Sequence, residues 1–295
     1  MEKGVSRKEK GWQRVLLIMI PFLVVSGTFE LIGAWLIDSP IWVESNLSDW
    51  QRLVVTTMGM IGTIVVVILF SRFVDRANFE AYKFEREVVF KEWLFSGILL
   101  FLCFSGGYVV VLELDQLEFV SLYFDGMGFV QTVVLFFVVA IGEEVFCRAY
   151  ILKNLAESFG MINGLIFSSL IFCALHAFNP GVTWVGVMNI FLAGIFLGLA
   201  YLIRENVWLP ISIHFFWNLI QCHFGFLVSG MDSYSLVQNK IDDASIWNGG
   251  DFGFEGSLLC TLLQVILIGV FGLLVKKNKF PDGAGLCPVS CLEKR

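Results

Sequence analysis

Glu143 and Glu144 stand side by side in an otherwise apolar run, residues 127–150. A charged side chain at the centre of a bilayer costs about 2.5–3.5 kcal/mol on insertion scales. Two in succession need partners, a wet cavity or a shared proton, so the pair marks a functional site. The other polar residues able to meet them are few: Arg148, His176, His214 and Asn218. Successive residues point about 100° apart around a helix, so the two carboxylates face neighbouring directions. Arg148 follows Glu144 by one helical turn and is expected to pair with it. That leaves Glu143 as the free carboxylate, facing the interior of a helix bundle, suited to act as general base or acid.

The chain has three histidines. His176 ends the fifth apolar run, with Phe172 one turn before it. His214 and Asn218 share one face of the seventh. A Glu, two His and an Asn in a low-dielectric cavity suffice for peptide hydrolysis. One Glu–His pair activates water, while the other His and the Asn stabilise the oxyanion. The same residues offer a metal site, since Glu143, His176 and His214 supply two imidazoles and a carboxylate, the set of many catalytic zinc centres. A Glu–Arg pair four apart is, by itself, ordinarily structural, and a lone buried His is ordinarily a hydrogen-bonded core residue. The functional reading rests on the four residues occurring together. His223 falls on the opposite face from His214 and reads as structural. Glu30 reads as an outer-end residue of the first run.

Several chemistries are excluded by missing motifs. The sequence has no His-Glu-x-x-His, no Gly-x-Ser-x-Gly elbow, no pair of intramembrane Asp, and no Walker or dinucleotide motif.

The elements that position these residues are membrane helices. The chain is 57% hydrophobic and 16% charged, against about 25% charged in soluble domains. Eight apolar runs, about 14–37, 53–71, 92–112, 127–150, 162–178, 184–203, 207–227 and 257–275, each approach the ~20 residues a span needs. The expected fold is all-α: a polytopic bundle of about eight transmembrane helices around a polar intramembrane cavity. Residues 14–278 read as one membrane domain between a segment 1–13 and a tail 279–295. Gly249, Gly250, Gly253 and Gly256 predict tight turns at the end of loop 228–256. Segment 72–91 reads as an amphipathic surface helix.

Basic residues set the topology. Lys3, Arg7, Lys8, Lys10 and Arg14 precede the first run. Arg72, Arg76, Lys83, Arg86 and Lys91 lie between the second and third, and Lys276, Lys277 and Lys279 follow the last. Segments 38–52, 113–126, 179–183 and 228–256 hold only Arg52 and Lys240. Both termini are therefore expected in the cytoplasm. The first run keeps a basic flank and no cleavage pattern, which reads as a retained helix in a bacterial inner membrane. No basic run interleaved with aromatics suggests nucleic acid. Five cysteines lie in or beside apolar runs, where free Cys packs as a small hydrophobe. Cys287 and Cys291, on the cytoplasmic side, are not expected to form a disulfide.

The motifs resemble a known family. Glu143-Glu144-Val145-Phe146-Cys147-Arg148 is similar to the Glu-Glu-x-x-x-Arg motif of the CPBP (CAAX protease and bacteriocin-processing, Abi-type) intramembrane proteases. Phe172-Cys173-Ala174-Leu175-His176 resembles its Phe-x-x-x-His, and His214-Phe215-Phe216-Trp217-Asn218 its His-x-x-x-Asn. The order agrees, and the similarity spans about 127–226. The resemblance implies a cavity open to the cytosol. It implies that Glu143 and His176 activate water, that His214 and Asn218 form the oxyanion site, and that Glu144, Arg148 and Phe172 support them. The family is described both as glutamate-type and as metal-dependent, so the cofactor is none or one divalent metal such as zinc. The expected function is an endopeptidase acting on a membrane-embedded or lipidated peptide or protein. The alternatives are a non-catalytic immunity or scaffold protein, or a proton-coupled transporter using the Glu and His as a relay. One spacing resists the pattern: His214 lies about 10 Å into its helix, whereas His176 lies at the far end of its own. Either the 204–206 turn is sunk into the bundle or the fifth helix begins later than drawn.

Overall fold

The computed structural model of the chain describes residues 11–38, 47–76 and 89–279. Eight helices make up most of it: α1 (Gly11–Leu36), α2 (Asp49–Phe73), α3 (Val89–Glu113), α4 (Gly126–Phe159), α5 (Met161–Leu175), α6 (Trp184–Arg204), α7 (Trp208–His223) and α8 (Leu258–Lys279). Six are long and apolar enough to cross a membrane, namely α1 to α4, α6 and α8. This is a multi-pass membrane protein.

The eight expected runs are eight helices, yet two of them are short. α5 has 15 residues and α7 has 16. At the helical rise they reach about 22–24 Å, less than the ~30 Å of a hydrocarbon core. These are the helices that carry the histidine motifs. The fold is also not purely helical. Glu118–Leu122 pairs antiparallel with Val237–Lys240, with a bulge between Phe119 and Ser121. Neither strand was legible, because each is a few residues of mixed polarity stabilised by its partner rather than by a buried face.

Local sequence explains where the helices start and stop. Ser48 and Gln51 form a reciprocal capping box at α2. The Asp125 carboxylate accepts from the Met127 and Gly128 amides at the start of α4, and the Thr183 hydroxyl from the Gly186 amide at α6. α6 ends on Glu205 in the left-handed region. The break between α4 and α5 is Gly160, at φ +83°, where a side chain would be strained.

Helix contacts in the bundle run through small residues and stacked aromatics, the expected alternative to hydrophobic burial inside lipid. Gly33, Gly59 and Gly62 let α1 and α2 approach closely; a Cβ at each would come within 2.6–3.1 Å of the facing helix. The Phe22 and Phe146 rings stack with centroids 4.0 Å apart and tie α1 to α4. Phe104 meets Trp217 and Phe254, joining α3 to α7 and to the loop before α8. Exposed Trp35, Trp50, Tyr123 and Trp184 gather at one end of the bundle, and Trp12, Phe73, Phe90 and Phe159 at the other. These resemble the aromatic belts of two membrane–water interfaces.

Most of the expected surface helix (77–88), Lys3, Arg7, Lys8, Lys10, and the tail with Cys287 and Cys291 lie outside the described residues.

Candidate active site

The site is built where α4 changes its winding. α4 is regular α-helix from Gly126 to Glu144 and then a π-helical stretch from Val145 to Leu152. A π segment inserts a residue into the i→i+4 ladder and frequently marks a functional position. Here it directly follows the Glu pair, and all eight of its side chains are buried. The motif spacing did not reveal it.

Glu144 is fully buried and holds two partners. Arg148 Nη1 donates to its Oε1 at 2.8 Å, the expected pairing. His214 Nδ1 lies 2.8 Å from the same oxygen. This second contact is the larger finding, because Glu144 fixes the ring that α7 brings in. Arg148 also reaches the Gly194 carbonyl of α6 at 3.4 Å. Its guanidinium sits 4.4 Å from the Phe172 ring centroid. Phe172 in turn packs on His176, centroids 4.5 Å apart, and edge-on to His214 at 6.4 Å. The spacing of Phe172 from His176 thus has a physical use: the ring backs the arginine and both imidazoles.

Glu143 turns the other way and is 22% exposed, into a cavity. Its Oε2 lies 3.7 Å from His176 Nε2 and 3.9 Å from His214 Nε2. No hydrogen bond from the described residues reaches this oxygen, although it is buried. His176 is the C-cap of α5, with its Nδ1 2.8 Å from the Phe172 carbonyl, which leaves Nε2 to the cavity. Asn218, one turn beyond His214, is buried and lines the same cavity.

The spacing conflict between the two histidines resolves through helix length. α5 begins at Met161, as the apolar run suggests, so the fifth helix does not start late. α7 begins at Trp208, six residues before His214, and is short. Both histidines nevertheless meet Glu143. Depth follows from α2, since a side chain on Gly142 would run into Met60. Met60 lies about 15 Å along its helix from Trp50 and about 20 Å from Phe73. The cluster is therefore near the middle of the bundle.

The cavity has a volume of about 520 Å³. Besides the motif residues it is lined by Glu30, Arg52, Asn189, Ser229, Glu255 and Gln264. Glu30 faces this space, more than the outer-end position expected of it. Asn189 and Gln264 were missed, although isolated amides inside apolar runs are themselves a signal. Asn189 ties down the loop before α8, donating to the Glu255 and Ser257 carbonyls at 2.7 and 2.8 Å and accepting from Thr261 Oγ1 at 2.7 Å. Glu255 Oε2 accepts from the Ser229 amide and hydroxyl at 2.8 and 2.7 Å. Burial pushes the Glu255 carboxyl above the usual range, and the Ser229 bonds and nearby His176 and His214 partly offset this. The glycine turns read from sequence hold, with Gly249, Gly250 and Gly253 all at positive φ. A Cβ on Gly253 would collide with the Leu227 carbonyl. His223 lies apart, stacked on Phe129 with Thr132 Oγ1 3.3 Å away, a core residue as expected.

The match to known proteins falls on this same stretch. Residues 125–220 match the Rce1-like family, described as type II CAAX prenyl endopeptidase Rce1-like. This homology, within the CAAX-protease/Abi superfamily, covers about a third of the chain. No curated protein and no solved structure matches the chain. The matched stretch contains Glu143, Glu144, Arg148, Phe172, His176, His214 and Asn218. It does not contain α1 and α2, which build one wall of the cavity, nor the Glu255 loop.

The donors do not form a metal cage. Among the described residues no group of three or more His, Cys, Asp and Glu is arranged to hold an ion. One of the two imidazoles is already turned by its Nδ1 bond to Glu144.

Proposed function

We propose that the protein is an intramembrane endopeptidase that hydrolyses a peptide bond of a membrane-associated or lipidated peptide or protein. One observation carries the reading: a buried carboxylate oxygen of Glu143, without a hydrogen bond, faces the Nε2 atoms of two histidines in a cavity between the helices. The partial match to an endopeptidase family supports it.

In this account Glu143 and His176 take a proton from a water held between them, and the resulting hydroxide adds to the scissile carbonyl carbon. The carbonyl oxygen becomes an oxyanion. The Asn218 amide and the His214 ring, doubly protonated with Nδ1–H on Glu144, donate to it. The intermediate collapses as Glu143 or His176 returns the proton to the leaving amine. Glu144, Arg148 and Phe172 hold His214 and His176 in place. Every step uses side chains of this chain.

The cavity is read as intramembrane, within one membrane domain, residues 14–278, of a cell membrane. The flanking segments 1–13 and 279–295 are assigned to the cytoplasm from their basic residues.

The test is cleavage of a peptide library by purified protein in detergent, read by mass spectrometry, with and without a strong chelator. Products formed by wild type but not by Glu143→Gln support the peptidase. Chelator-resistant cleavage supports the metal-free steps above, and cleavage abolished by the chelator overturns them. Absence of any difference between wild type and Glu143→Gln removes the peptidase reading in favour of a binding or transport protein.

A further inference from the structure

Among the described residues, the lining of the cavity reaches one end of the bundle and stops short of the other. Leu47 and Arg52 lie at the start of α2, Asn179 just after α5, Ser229 and Ser233 after α7, and Glu255 before α8, and all line it. In an up-and-down bundle these positions share one end. Toward the other end the lining stops at Thr63, Cys147, Leu197 and Ile213, each short of its helix terminus.

The two ends differ sharply in charge. Among the described residues, every Lys and Arg except Arg52, Arg148 and Lys240 lies at the end away from the mouth. Two of the acids found there, Asp75 and Glu92, sit in ion pairs with Arg14 and Arg204. The mouth end instead carries Asp49, Asp115, Asp125, Asp232, Asp242 and Asp251. Lys and Arg collect on the cytoplasmic side of membrane proteins.

Building on the peptidase reading, we infer that the site takes its substrate from the extracytoplasmic face. The substrate class is then a translocated segment: the outer end of a membrane protein, or a peptide anchored by lipid in the outer leaflet. This reverses the cytosolic opening that the family resemblance implies. A prenylated protein made and retained in the cytoplasm meets the basic end, which the lining among the described residues does not reach. The path is open on the side where Arg52 is the one Lys or Arg lining the cavity, with its buried Nε free of any hydrogen bond from the described residues.

Sidedness is measured independently of cleavage. Full-length protein carrying Cys287→Ser and Cys291→Ser receives one new cysteine at a time: Asp251→Cys or Asp242→Cys at the mouth end, Lys277→Cys at the other. Intact cells are treated with a membrane-impermeant maleimide before and after permeabilisation, against the parent without a new cysteine. The expected result is labelling of either mouth-end cysteine in intact cells and of Lys277→Cys only after permeabilisation. The opposite pattern overturns the inference. A peptide that the purified enzyme cuts in detergent is then supplied to right-side-out and inside-out membranes. Glu143-dependent cutting in the first alone is expected, and cutting in the second alone overturns the assignment. If nothing is cut in detergent the peptidase reading fails, while the labelling still reports which way the cavity faces.

Discussion

At the scale of residues, adjacency in sequence becomes a division of labour. Glu144 points into protein, against Arg148 and His214, whereas Glu143 points into space, between two Nε2 atoms. The two carboxylates therefore fail differently when removed. Arg148 is 2% exposed, and Glu144→Ala strands it. Breaking a buried pair costs about 3–5 kcal/mol, so this variant is expected to melt well below wild type in detergent, with cleavage lost alongside. Asn218 is different again, since it lines the cavity as a proposed oxyanion donor. Loss of one such donor typically lowers kcat about 10²–10³-fold. Asn218→Ala is expected to show that fall with KM and melting nearly unchanged, measured by steady-state cleavage and thermal unfolding.

At the scale of elements, two short helices and one π stretch make the site. The apolar runs were legible because a span needs some twenty apolar residues whatever it packs against. The motif residues were legible because ionisable groups inside such runs are rare. The π-helix was not, because no residue type or spacing in Val145–Leu152 distinguishes it from α-helix. The Glu144–His214 contact was not, because it joins residues seventy apart in sequence. Glycine positions likewise divide only in the structure. A Cβ on Gly164 would strike the Ala156 backbone where α5 leaves α4, whereas Gly269 on α8 has open space around it. Overpacking costs about 1–3 kcal/mol. Gly164→Leu is expected to lower the melting temperature and, by shifting the helix that ends in His176, to reduce cleavage. Gly269→Leu should leave both unchanged in the same two assays.

At the scale of the molecule, the loop between α7 and α8 lines the mouth of the cavity. Its sequence predicts tight turns, and its glycines adopt them, but no pattern singles out the inward carboxylate of Glu255. Burial raises the pKa of Glu255 in the folded protein. The folded state then holds this proton more tightly than the unfolded chain does. Its contribution to stability is present below the ordinary carboxylate range and is lost as pH rises through the raised value. Glu255→Gln, which never ionises, is expected to melt with wild type in acid and progressively above it toward pH 8. A constant difference across that range, in a melting series against pH, would contradict this. The charge asymmetry between the two ends was visible in the sequence as basic flanks, yet its meaning needed the cavity: only the structure tells which end the mouth occupies.

The central claim is that Glu143 activates the attacking water. The most direct measurement is the rate at which one defined peptide is cut by wild type and by Glu143→Gln, with the melting temperature taken on the same samples. Because its Oε2 holds no hydrogen bond and general bases contribute about 10²–10⁴-fold, the account predicts a rate loss of that size with melting unchanged. Equal rates from two equally folded proteins would contradict it.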